Sequence, residues 1–154
     1  MKNYIDKSTR EIYAYESDGS QDAFIKEGLV PISDEDLAAM IAPTTEQLLG
    51  QLTAARKEQE RQGVTINGIR YAGDPGNRQA IAESIDFMTD AGANEFISWK
   101  DADNVFHANH PLTDVIDAYR AIGVRRVQLI AAEGQYAAQV QDGTMTDLSE
   151  VVWP

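Results

Sequence analysis

Imidazole is the commonest general base and metal ligand near neutral pH, so the search for chemistry starts at His107 and His110. They are the only histidines, and Asp114 lies four residues beyond the second. Two imidazoles and a carboxylate would suit a catalytic zinc ion. The spacing opposes it, because the pair straddles an expected strand end and helix start and no HExxH helix carries them. Surface or capping roles fit these histidines better. Asp101-Ala102-Asp103-Asn104 opens like a calcium loop, but an EF-hand needs glycine at its sixth position and a bidentate glutamate at its twelfth. Phe106 and Leu112 stand there instead, so the segment reads as a polar turn. None of the serines, at 8, 17, 20, 33, 84, 98 and 149, sits in a GxSxG elbow. Neither a GxxxxGK[ST] loop nor a GxGxxG fingerprint is present. Cysteine is absent, which excludes thiolate chemistry, disulfides and cysteine-built zinc modules. Carboxylates are plentiful, yet no glycosidase-like pair stands out from an acidic surface. The expectation is a protein that is not an enzyme, with no catalytic residues, no cofactor and no metal.

Charge narrows the partners. Thirteen Lys and Arg against twenty-five Asp and Glu leave a net charge of −12 over 154 residues. A broad nucleic-acid surface needs concentrated positive charge, and the only adjacent basic pairs are Arg56-Lys57 and Arg125-Arg126. The first residues carry no apolar signal-peptide core. The longest apolar run, Leu37 to Ala42, is far short of the ~20 residues that a membrane span requires. No nucleic-acid partner and no membrane partner are expected, and synthesis in the cytoplasm is.

The elements follow from local chemistry. Tyr4-Ile5 and Ile12 to Tyr15 read as a hairpin around a polar turn. Ser33 caps a short helix that Pro43 stops, which makes residues 1–43 a small hairpin-plus-helix unit. Residues 44–154 form the second domain. Its first helix runs from a Thr44 or Thr45 cap to Gly63. Asn67-Gly68 predicts a two-residue hairpin pairing Ile66 with Ile69, Thr65 with Arg70 and Val64 with Tyr71. Asp74-Pro75-Gly76-Asn77 starts a helix carrying Ile81, Ile85 and Met88. A second hairpin, with Asp101 to Asn104 as its loop, would set Trp99 against Phe106 and Ile97 against Ala108. Pro111 suits the first turn of a long final helix reaching about Gln141. Gly123 and Gly134 inside it cost roughly 1 kcal/mol each, so either close helix packing or a break after Ile122 is expected. The order is α+β: antiparallel hairpins packed on helices. The expected core joins Ile66, Ile69, Tyr71, Trp99, Phe106, Ile81, Ile85, Ile116 and Tyr119.

The stretch from Gly63 to Tyr71, the Asp74 to Arg78 turn, Ile81-Ala82 and Ser98-Trp99-Lys100-Asp101-Ala102-Asp103-Asn104 together resemble a family of unknown-function domains. That family is common in tailed bacteriophages and prophages, often beside tail-fibre genes, and the resemblance covers roughly residues 51–150. The opening Tyr4-Ile5-Asp6-Lys7-Ser8-Thr9-Arg10-Glu11-Ile12-Tyr13 is similar to the start of many tail-fibre assembly proteins. The resemblance implies a tail-fibre-binding protein, most simply an assembly chaperone, in the host cytoplasm during assembly and either released or kept in the virion tail. A permanent structural component of the tail or baseplate is the alternative, and a carbohydrate-acting enzyme a third reading. The partner would be the tail-fibre protein or another tail component, and a homo-oligomer is also admissible. A ~30-residue helix spans ~45 Å, beyond the reach of short hairpins. The contact residues are therefore expected on its distal half and the tail: Tyr136, Val140, Leu148, Val151 and Trp153.

Overall fold

A computed structural model describes residues 1–154. The chain is α+β and divides into two compact units, Met1–Pro43 and Thr44–Pro154.

In the first unit β1 (Lys2–Asp6) pairs antiparallel with β2 (Ile12–Tyr15) on one side and β3 (Leu29–Pro31) on the other. The Asp6 carboxylate shapes the first turn by accepting the Ser8 backbone N–H at 2.8 Å. Helix α1 (Asp34–Ile41) starts where Ser33 Oγ accepts the Asp36 N–H at 3.0 Å. Strand β3 is absent from the sequence reading. It is three residues long, ends in proline and gains its identity only by pairing with β1.

In the second unit α2 (Thr45–Gln62) opens with a reciprocal capping box, Thr44 taking the Gln47 N–H and Gln47 taking the Thr44 N–H. Asn67 and Gly68 adopt φ of 50° and 80° between β4 (Val64–Ile66) and β5 (Ile69–Tyr71), and the register is the one their turn chemistry dictates. Asp74 caps α3 (Pro75–Asp90) through the Gly76 and Asn77 N–H groups, with Pro75 at the first helical position. Strands β6 (Glu95–Lys100) and β7 (Phe106–Pro111) lead into α4 (Leu112–Asp142).

Two buried regions hold this unit. Tyr71, Ile81, Val115, Ala118 and Ile122 form one, covered by Val64, Ile66, Ile69, Ile85, Phe96 and Trp99. The other is the antiparallel packing of α2 on α4, where Leu48, Leu52, Leu129 and Val140 are buried. A charged seam runs along it. Glu60, 7% exposed, meets Arg56 at 2.5 Å, Arg78 at 3.2 Å and Arg126 at 3.5 Å. Arg56 also meets Glu133 at 2.5 Å. A buried carboxylate persists only when paired in this way. Gly63 (φ 71°) and Gly73 let the hairpin ends close on the end of α2; a Cβ would collide with the Tyr71 carbonyl at the first and the Glu60 carbonyl at the second.

Several expectations are corrected. The β6–β7 loop has five residues, because Asp101 Oδ1 accepts the N–H groups of both Asp103 and Val105 and draws Val105 into the turn. The register shifts by one: Trp99 faces His107 and Lys100 faces Phe106. Phe106 is therefore 69% exposed and Ile97 90% exposed, not core. The ladder also skips Ile97 and Asn109, whose φ is 51°. This irregularity lets Phe96 and Trp99 pack together on one side, which strict alternation forbids. Pro111 ends β7 and is the N-cap of α4 rather than part of its first turn. Finally, α4 is unbroken at Gly123 and Gly134, and neither glycine lies against another element. Tyr119, 41% exposed, also falls outside the core.

Candidate protein interface

The histidines are brought together, 5.9 Å between ring centroids. His110 is 2% exposed, its Nε2 lies 2.6 Å from the Tyr71 hydroxyl, and its ring stacks on Trp99. Burial lowers the His110 pKa and pushes that of Tyr71 up to about 12, so both are neutral at pH 7. His107 Nε2 lies 2.7 Å from Asp101 Oδ2, and that bond is the main cause of the lowered Asp101 pKa. Asp114 accepts instead from the Asn67 amide at 3.0 Å. No three His, Asp or Glu side chains converge as a metal site would require. Arg70 completes the cluster's structural purpose. Its guanidinium donates to Asp103 and to the Ala102 carbonyl, while its own carbonyl accepts the Ala102 N–H. The two hairpins are thereby clamped at their ends.

The expected contact residues separate into three groups. Val140 is 3% exposed and belongs to the core, because the α2 face of α4 reaches that far; as a contact residue it is a correction. Leu148 and Val151 are half-buried in the turn following α4, where the Val151 N–H donates to the Leu148 carbonyl at 3.2 Å. Tyr136 and Trp153 are half-buried and meet edge-to-face, 6.1 Å between ring centroids.

That meeting is built by a chain reversal. Gly143, at φ 80°, ends α4 in the left-handed conformation that glycine tolerates best. Thr144 Oγ1 and the Met145 N–H both donate to the Gln139 carbonyl, turning the chain back. The tail then returns along α4 until the Tyr136 hydroxyl donates to the Val152 carbonyl and accepts the Val152 N–H, each at 3.1 Å. One side chain thus satisfies both backbone polar groups of one tail residue.

Between α4 and this tail lies an open groove of about 440 Å³, walled by Gln128, Ala131, Ala132, Gln135 and Tyr136 on the helix and by Val152, Trp153 and Pro154 on the tail. Its helix wall consists of small or uncharged residues, and its outer lip is aromatic. Its walls carry no carboxylate, imidazole or amine side chain. Ala131, Gln135 and Val152 were not foreseen as part of it. Their signal was positional: Ala131, Ala132, Gln135 and Tyr136 share one flank of α4 at helical spacing.

Residues 43–152 match the domain of unknown function DUF4376, and the chain belongs to that family. No curated protein and no solved structure matches it.

Proposed function

We propose that this member of the DUF4376 family is a bacteriophage tail-fibre-binding protein that acts as an assembly chaperone through protein–protein contacts. The observation that carries the reading is the groove between α4 and the C-terminal tail. It is an uncharged channel with an aromatic lip, suited to an apolar strand or helix edge. A fibre subunit exposes such segments before it trimerises, and a cover held by apolar contact can leave once they are buried against one another. The sequence resemblance to phage-borne domains supplies the class of partner.

The test is co-expression with the products of neighbouring tail-fibre genes, followed by identification of what co-purifies. A fibre chain should be captured. Ala131→Glu, which sets a charge in the groove, and Trp153→Ala, which removes its lip, should each weaken capture at least tenfold with an unchanged melting curve. Capture that is indifferent to both substitutions would sink the assignment of the groove, and failure to capture any fibre chain would sink the function. Stoichiometric retention in purified particles would instead make the protein a permanent tail component.

A further inference from the structure

Asn67-Gly68 makes the β4–β5 turn, and the same two residues carry a reactivity that the fold does not use. A backbone nitrogen that follows asparagine can attack the side-chain amide carbon and close a cyclic imide. Glycine is the least hindered residue for that attack, because no Cβ shields its nitrogen. The chain has six asparagines, and only Asn67 is followed by glycine; Tyr4, Arg78, Glu95, Val105 and His110 follow the others. Asn67 and Gly68 are both exposed. Apart from the two neighbours of Gly68 in the chain, no atom lies within 4 Å of where a Cβ on it would stand, and no backbone acceptor takes its N–H.

One contact opposes the reaction. Asn67 Nδ2 donates to Asp114 Oδ2 at 3.0 Å, across 47 residues of chain, in the first turn of α4. The nitrogen that departs must gain a proton, whereas a carboxylate only accepts hydrogen from it. The bond also restricts the side-chain rotation that ring closure needs. We propose that Asn67 is a site of spontaneous deamidation, that Asp114 restrains it, and that its conversion releases the β4–β5 hairpin from the start of α4.

The chemistry needs water alone. Base in the solvent removes the Gly68 amide proton, the nitrogen bonds to Asn67 Cγ, and the Cγ–Nδ2 bond breaks as Nδ2 takes up a proton and leaves as ammonia. Water then opens the imide at either of its carbonyls. The balance is an amide and a water going to a carboxylic acid and ammonia, with nothing oxidised or reduced. Opening one way leaves an ordinary aspartate, whose carboxylate stands against Asp114 and replaces a hydrogen bond by like charges. Opening the other way leaves isoaspartate, which adds a carbon to the backbone path of a turn built for two residues at positive φ. The Ile66–Ile69 pairing depends on that turn, and both side chains cover the core around Tyr71 and Val115. The inference stands apart from fibre binding, because it concerns the pure chain and another region of the unit.

The purified full chain, incubated in mildly alkaline buffer and sampled by peptide-mapping mass spectrometry, should exchange amide for acid at Asn67 before any other asparagine. Asp114→Ala should speed that exchange several-fold. Asn67→Asp, which stands in for the ordinary product, should melt below the wild type, and adding Asp114→Asn, which removes the facing charge, should restore much of the loss. Conversion of another asparagine first, a rate at Asn67 indifferent to Asp114→Ala, or an Asn67→Asp chain that melts with the wild type would each overturn the inference.

Discussion

At Tyr71 and His110, burial acts on two titrating groups in opposite directions, and the result is a pair held neutral by its surroundings. The hydroxyl and Nε2 are 2.6 Å apart. Desolvation is the first cause of both shifts; Asp114 and Asp101 add to the rise at Tyr71. At His110, nearby Asp114 opposes the fall and His107 assists it. Because the folded pKa of His110 lies below its ordinary value, the unfolded chain takes up the proton first as pH falls. Its contribution is complete above the usual histidine pKa of about 6.5 and is lost below it, levelling off beneath the depressed folded value. Asp101, also lowered, acts the same way at more acid pH: its contribution is present above the usual carboxylate range and lost as pH falls through its own pKa. The melting temperature should therefore drop between pH 7 and pH 5, and His110→Gln should flatten that slope. A wild-type curve that stays level over this interval would show that His110 does not carry the dependence.

At the scale of elements, the two hairpins of the second unit show what a sequence can and cannot disclose. Asn67-Gly68 needs only its own two residues to take positive φ, so the β4–β5 register was legible from the turn alone. In β6–β7 the register depends on where one carboxylate points. Asp101 takes the Asp103 and Val105 N–H groups with one oxygen and meets His107 with the other, and no periodicity encodes that choice. The cap at Ser33 was legible for the local reason that applied to the first hairpin, that of α2 only as Thr44 or Thr45, and Asp74 only as part of a helix-starting turn, while β3 was missed because its partner is distant in sequence. The candidate interface was half legible. The apolar tail and Tyr136 were visible in the chain, but that Val140 points into the core emerges only when α2 lies along α4. Asp101→Ala should accordingly destabilise the fold, since it removes the acceptor of the Asp103 and Val105 N–H groups and the partner of His107. Urea unfolding measures this. A loss below ~0.5 kcal/mol, the usual range for surface changes, would mean that the loop holds without its carboxylate.

Across the whole molecule, buried side chains are distributed unevenly. None of residues 1–43 is buried. That unit holds four basic against nine acidic residues, and its three-stranded sheet is open, with β2 and β3 as short edge strands on β1. A chain of roughly 40 residues sits at the lower limit at which burial alone outweighs lost entropy. Residues 44–154, by contrast, contain every buried residue of the chain, the Glu60 seam and the clamp between the hairpins. Stability should be partitioned in the same way. Amide protons of β1, β2 and β3 should exchange through local opening at low free energy, while those flanking Tyr71, Val115 and Leu129 should exchange only on global unfolding. A fragment of residues 44–154 should then fold alone and melt within ~3 °C of the full chain, less than the shift that ~1 kcal/mol produces in a domain of this size. Hydrogen exchange followed by mass spectrometry reads the first expectation and thermal scanning the second. Equal protection in both units, or a fragment that melts more than ~10 °C lower, would mean that the larger core draws on residues 1–43 for its stability.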